Sequence, residues 1–131
     1  MRKASIALAL TVLFLVSVIG FAGEVEQELG QDIATLFQDS ANTFEDFGDG
    51  YISFSDFKSN VKDYTARSEF IFLESIERKA NPSFIKLAAG TDMVMNMWWK
   101  AVNEGDIGKL KLANRFLEVV LIPQIDKAGT G

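Results

Sequence analysis

Oxygen-bearing side chains gather in one short stretch in the middle of the chain. Glu45, Asp49, Ser53 and Asp56 fall within twelve residues, and Gly50 beside Asp49 allows a sharp turn. The sequence contains no cysteine and no histidine, which removes the usual ligands of zinc, copper and haem iron. Oxygen ligands remain, and they suit hard cations. The chemistry that these residues favour is therefore the binding of a hard cation.

The run from Asp49 to Asp56 resembles the second half of an EF-hand calcium loop, with Gly50 at the position of the turn glycine. The resemblance implies a calcium site within residues 45–57. The ligands it implies are the side chains of Glu45, Asp49, Ser53 and Asp56 and the backbone carbonyl of Tyr51. Phe47 stands where the family has another ligand, so the implied affinity is weak, toward the ~10⁻⁴–10⁻³ M of extracellular calcium modules.

Residues 103–114 resemble a second, vestigial EF-hand. Asn103 and Asn114 lie at its ends and Gly108 at its glycine position, whereas the ligand positions between them hold poor ligands such as Lys111. EF-hands normally occur in pairs, so the resemblance implies that this segment pairs structurally with the first one and binds no second calcium ion.

A second interpretation of the first loop needs no cation. Asp49-Gly50 is a common turn pair, and Ser53 with Asp56 has the spacing of a capping box that starts a helix. The flanking phenylalanines then belong to an ordinary core. The sequence leaves open whether the loop is a calcium site, the remnant of one, or only a helix–helix turn.

The spacing of apolar residues predicts an all-α fold, a small bundle of about five helices built on this helix–loop–helix. No stretch shows the period of two that marks a strand. Gly90 is expected to end one helix, and Thr91 to cap the next. The predicted helices span residues 24–44, 54–76, 82–90, 92–102 and 109–121.

Residues 1–22 have the composition of a secretory signal. Two basic residues precede an uncharged apolar run with small residues near its end, which favours cleavage after Ala22. The run also approaches the ~20 residues of a membrane span, so an uncleaved anchor is the alternative. Residues 23–131 are expected to form a single exported domain, periplasmic or extracellular, that touches the membrane only through an uncleaved N-terminal segment.

Charge is distributed unevenly along the chain. Nine acidic residues and no Lys or Arg lie between Glu24 and Phe57, whereas nine acidic and eleven basic residues follow from Lys58 onward. An acidic surface repels nucleic acid and favours cations or a basic protein surface, so no nucleic-acid partner is expected. Alternatively, the acidic first helix docks on the basic half of its own chain.

Residues 93–99, Met-Val-Met-Asn-Met-Trp-Trp, offer a different kind of surface. Met-rich helix faces adapt to partners. Because Trp98 and Trp99 point about 100° apart on a helix, one indole is expected at a rim or an interface. A partner or a second copy would then contact Met95, Trp98 and Trp99, together with the acidic first helix. The alternative is core packing with one indole at its boundary.

Catalysis finds no support in the residue pattern. No nucleophile has a plausible base beside it, and Ser53 suits a helix cap better than a nucleophile. The sequence thus predicts a non-enzymatic, exported helical protein that binds calcium weakly. The alternative is an interaction or assembly protein without a metal.

Overall fold

The structure is a computed structural model and describes residues 23–116. Helix makes up 87% of this segment, and no strand occurs in it, which confirms the all-α prediction. There are three long helices and a short fourth. They are α1 (Glu24–Gly48), α2 (Phe54–Glu77), α3 (Pro82–Glu104) and α4 (Ile107–Phe116).

The three long helices form an up-down-up bundle with α2 between α1 and α3, and α4 packs on α3. Contacts at both ends show that α1 and α2 are antiparallel, because Glu28 reaches Arg78 at one end and Phe47 stacks on Phe57 at the other. The core is built from apolar side chains of all four helices. The largest fully buried ones are Phe37, Phe84, Leu29, Ile33, Leu36, Leu87, Met95 and Val61.

Local signals at the helix N-termini act as the sequence predicts. The Ser53 hydroxyl accepts the N–H of Asp56 at 3.1 Å and begins α2. The Asn81 side chain accepts the N–H of Phe84 at 2.8 Å, with Pro82 as the first residue of α3. The cap predicted at Ser53 is confirmed, and Asn81 caps α3 in the same way.

The three long helices end in the same C-terminal motif. In each, a residue in the left-handed region is followed by one whose N–H donates to a carbonyl five positions back. These N–H···O distances are 2.8 Å for Tyr51 to Asp46, 2.9 Å for Ala80 to Ser75 and 2.9 Å for Asp106 to Ala101. The left-handed residues are Gly50, Lys79 and Gly105, with φ of 81°, 58° and 66°.

The predicted end of the first helix at residue 44 is wrong, because α1 continues to Gly48. Phe47 lies three residues after Phe44 and therefore extends the inward face of the helix. Its ring stacks on Phe57 of α2, with centroids 4.3 Å apart. Burial of these rings favours another helical turn over an open loop.

The prediction of about five helices is also wrong within residues 23–116, because the segments 82–90 and 92–102 form one helix. Gly90 and Thr91 are both buried, and the Thr91 hydroxyl donates to the Leu87 carbonyl at 2.9 Å. A glycine weakens a helix by only about 1 kcal/mol, which packing on both sides of it offsets.

Other predictions fall outside the described segment. The signal or anchor of residues 1–22, and the part of the last predicted helix beyond residue 116, lie there. No helix between residues 23 and 116 has the length and apolar character needed to cross a membrane.

Gly50 and Lys79 occupy the same left-handed position of the shared C-terminal motif, so removing glycine at one and introducing it at the other should have opposite effects on stability. Gly50→Ala is expected to lower the free energy of unfolding by about 1 kcal/mol, because a Cβ is unfavourable at φ 81° although nothing lies within 4 Å of it. Lys79→Gly is expected to raise it by up to about 1 kcal/mol. Urea unfolding followed by circular dichroism checks both, and a loss of stability in Lys79→Gly would contradict the account.

Candidate functional site

The connection between α1 and α2 is short, comprising residues 49–53. Glu45 and Phe47, the first and third positions of the implied calcium loop, are helical. The carbonyls of Glu45, Phe47 and Asp46 accept the N–H groups that follow the helix, so Gly50 serves as the left-handed residue of the helix end. The twelve-residue arrangement of an EF-hand is not formed in this conformation.

The implied ligands lie around this turn without converging. Glu45, Asp49, Ser53 and Asp56 are exposed, and so is 79% of Tyr51. Residues 23–116 contain no group of three or more carboxylates that could hold a metal ion. The residues therefore do not fit the implied calcium site in this conformation, and calcium binding remains a prediction that requires the last turn of α1 to unwind.

The second implied hand is likewise a turn. Only Gly105 and Asp106 separate α3 from α4, and Gly108 lies inside α4. The two turns meet at one end of the bundle, where a pocket of about 230 Å³ lies between them. Its lining is mostly apolar and comprises Phe47, Phe54, Phe57, Ala101, Val102, Gly105 and Asp106.

The phenylalanines around the first turn belong to an aromatic cluster of the core. The Phe44 ring meets Phe57 and Trp98 edge-on, with centroid separations of 5.2 and 5.1 Å. Phe37 meets Trp98 from α1 at 6.4 Å. These contacts join α1, α2 and α3 at this end.

The Met/Trp segment divides between core and boundary. Met95 and Trp98 are buried, and Trp99 is partly exposed with the ammonium groups of Lys58 and Lys62 5.9 and 5.8 Å from its ring centroid. The interpretation as core packing with one boundary indole is confirmed. Met95 and Trp98 cannot contact a partner in this conformation.

An apolar surface that the sequence reasoning missed lies on the outer side of α2. Phe70, Leu73 and Ile76 are 61%, 53% and 48% exposed. Their spacing of three residues places them on adjoining parts of the helix surface, away from the buried Ile71 and Ser75. The sequence does carry a signal for this surface, because Phe70, Leu73 and Ile76 form a second set of regularly spaced apolar residues in α2. It is missed when a helix is expected to have one apolar face. We call these three residues the outer α2 surface.

A groove adjoins the outer α2 surface, between α1 and α2. Its volume is about 310 Å³. The side chains that line it are Asp32, Thr35, Ala66, Arg67, Phe70 and Ile71. Phe70 thus belongs both to the exposed surface and to the groove, which makes them one continuous feature.

Ion pairs border the groove. Arg67 binds Asp39 at 2.8 Å, and Arg78 binds Glu28 at 3.0 Å. The hydrogen bond from Arg78 lowers the pKa of Glu28, whereas partial burial, with the charge of Glu28 as a smaller cause, raises the pKa of Asp32. These pairs confirm in part that the acidic first helix docks on basic residues of its own chain.

Tyr64 fixes α1 against α2 beside the groove. Its buried hydroxyl donates to the Asp39 carbonyl at 3.0 Å and, having one proton, accepts the hydroxyl of Thr43. Burial raises the pKa of Tyr64 above its ordinary value, because the ionised phenolate would lose its hydration. The network holds Asp39 where it pairs with Arg67.

Comparison of the chain with protein families, with curated proteins and with solved structures gave no match.

Tyr64→Phe is expected to lower the free energy of unfolding at pH 7 by about 1–2 kcal/mol, because the Thr43 hydroxyl and the Asp39 carbonyl lose their hydrogen bonds to the Tyr64 hydroxyl. The raised pKa of Tyr64 means that the folded state favours the neutral phenol. The neutral phenol therefore stabilises the fold fully below pH 10, and this stabilisation is lost as the pH rises further. Urea unfolding at pH 7 and above pH 10 should show that the free energy of unfolding falls less with rising pH in the variant than in the wild type.

Tyr51→Phe provides the matched control, because most of the Tyr51 side chain is exposed. It is expected to change stability by less than about 0.5 kcal/mol. Equal effects of the two substitutions at pH 7 would contradict the assigned role of Tyr64.

Proposed function

We propose that the protein is an exported, non-enzymatic helical interaction protein that contacts its partner through the outer α2 surface and the adjoining groove. The observation that carries the proposal is the exposure of Phe70, Leu73 and Ile76 on one helix whose opposite face already packs in the core. Single exposed apolar residues are ordinary on protein surfaces. A contiguous set beside a groove is typical of an interaction surface.

The shape of this feature supports the proposal further. Peptides and helices commonly dock by placing a few apolar side chains in a groove between two helices. Here Ala66, Phe70 and Ile71 are apolar residues that line the groove. Tyr64 and the ion pairs hold α1 and α2 together beside the groove, so exposed Phe70 is free to contact a partner.

The proposal keeps part of the interaction surface predicted from the sequence and replaces the rest. The acidic first helix remains, because Asp32 and Thr35 of α1 line the groove. Met95 and Trp98 are replaced by the outer α2 surface, because both are buried. Trp99 lies on α3 beneath two lysines and is not part of the groove.

Site-specific photocrosslinking tests the proposal. A benzoylphenylalanine in place of Phe70 is expected to form a covalent adduct with the partner in cells that make the protein naturally, because this side chain lies within the contact. The same group in place of Met93, which is 52% exposed on α3, is the matched control and is expected to give none. Gel mobility and mass spectrometry report the adducts. No adduct at position 70, or equal adducts at both positions, would reject the proposed surface.

Weak calcium binding at the α1–α2 turn is the second candidate function. It is favoured by the packing of Phe44 on Phe57, which flank the implied loop as core residues flank an EF-hand. Binding through Glu45 would need the last turn of α1 to open. The two candidates are compatible, since the turn and the outer α2 surface share no residue.

If calcium binds as the resemblance implies, millimolar calcium is expected to reduce the helical ellipticity at 222 nm. It is also expected to change the fluorescence of Trp98, whose ring contacts Phe44 just before the turn. Asp49→Ala should abolish both responses. Unchanged spectra at millimolar calcium, or the same response in Asp49→Ala, would remove this candidate.

A further inference from the structure

We propose that the occupant of the groove is a basic amphipathic helix of a partner protein, with an apolar side chain against Phe70 and a cationic side chain beside Asp32. The inference rests on the proposed function and names the chemistry of the partner. Its apolar part follows from the lining of the groove, and its cationic part follows from the charges around it.

The carboxylates around the groove outnumber the cations that face them. Arg67 and Arg78 are the guanidinium groups near Asp32, and each already pairs with another carboxylate. Within residues 23–116, Asp32 has no salt bridge of its own. The acidic residues around these two arginines are Glu24, Glu28, Asp32, Asp39 and Glu74.

A cation from a partner would be favoured at this place for two reasons. It would pair with the Asp32 carboxylate, and it would reduce the repulsion between Asp32 and Glu28 that helps to raise the pKa of Asp32. Asp32 is at the groove wall, so a lysine or arginine one helical turn from an apolar anchor could reach it while the anchor contacts Phe70.

The same charges disfavour a second copy of this chain as the occupant. The outer side of α2 also carries exposed Asp63, Glu69 and Glu77, whereas the exposed cations of α2 and the turn after it are Lys62 and Lys79. A second copy using the same surface would bring these acids and the acidic α1 against their equivalents. Such like-charge contacts oppose association and select against the wrong partner.

Fluorescence anisotropy with two synthetic helical peptides of equal length tests the inference. One peptide combines leucine with lysine in an amphipathic pattern, and the other combines leucine with glutamate. The lysine peptide is expected to bind the full chain at least about tenfold more tightly than the glutamate peptide. Equal affinity, or tighter binding of the glutamate peptide, would overturn the inference.

Variants separate the groove from a general attraction to an acidic protein. Phe70→Ala is expected to weaken binding of the lysine peptide by about tenfold, and Asp32→Asn by about threefold. Met93→Ala and Asp46→Asn are matched changes outside the groove and are expected to alter it less than about twofold. The inference would be overturned if Phe70→Ala lowered the affinity no more than Met93→Ala does, and Asp32→Asn no more than Asp46→Asn does. Thermal unfolding of every variant verifies that it is folded, and Leu73→Ala provides a second apolar change.

Sedimentation equilibrium distinguishes failure of this inference from failure of the proposed function. Self-association that Phe70→Ala abolishes, without binding of the lysine peptide, would overturn the basic partner and retain an interaction role for the groove. If Phe70→Ala changes neither peptide binding, nor self-association, nor the crosslinking described above, both proposals fail.

Discussion

The packing of α2 against two neighbours at once is the constraint on which the rest of the described fold depends. α1 and α3 contact each other much less than either contacts α2. Tyr64 attaches α2 to α1, and Ser68 attaches it to α3 by donating to Asp92 at 2.8 Å. Because the two helices lie on different sides of α2, its inner surface is occupied over a wide arc. The remaining arc faces outward, and the exposed apolar residues lie on it.

The boundary between α1 and α2 is held by apolar contacts at one end and by polar contacts at the other. At one end Phe47 stacks on Phe57, and at the other Arg78 binds Glu28. The groove lies between these ends, where neither aromatic stacking nor the Arg78 ion pair fills the space between the helices. Its position is thus a consequence of how the two helices are joined, and its chemistry follows from the acidic composition of α1.

Much of the fold could be predicted because its signals are local. Ser53 and Asn81 cap helices with their own neighbours three residues on, and such spacings are visible in any sequence. The end of α1 could not be placed, because the stacking of Phe47 on Phe57 that favours its last turn involves the next helix and leaves no local signal in the sequence. Asp49-Gly50 left two interpretations open, because a left-handed glycine serves both a calcium loop and a helix end. The outer α2 surface required knowing which side of α2 the bundle covers.

The short connections between the helices also bear on how the chain reaches its fold. They comprise residues 49–53, 78–81 and 105–106, and the extensive helix contacts are between sequence neighbours. Such a topology has low contact order, which in helical bundles goes with folding in microseconds to milliseconds. Each helix can dock on the preceding one as soon as both have formed, without waiting for a distant segment. Rapid assembly of this kind suits a chain with no cysteine, which must reach a protected state through packing alone.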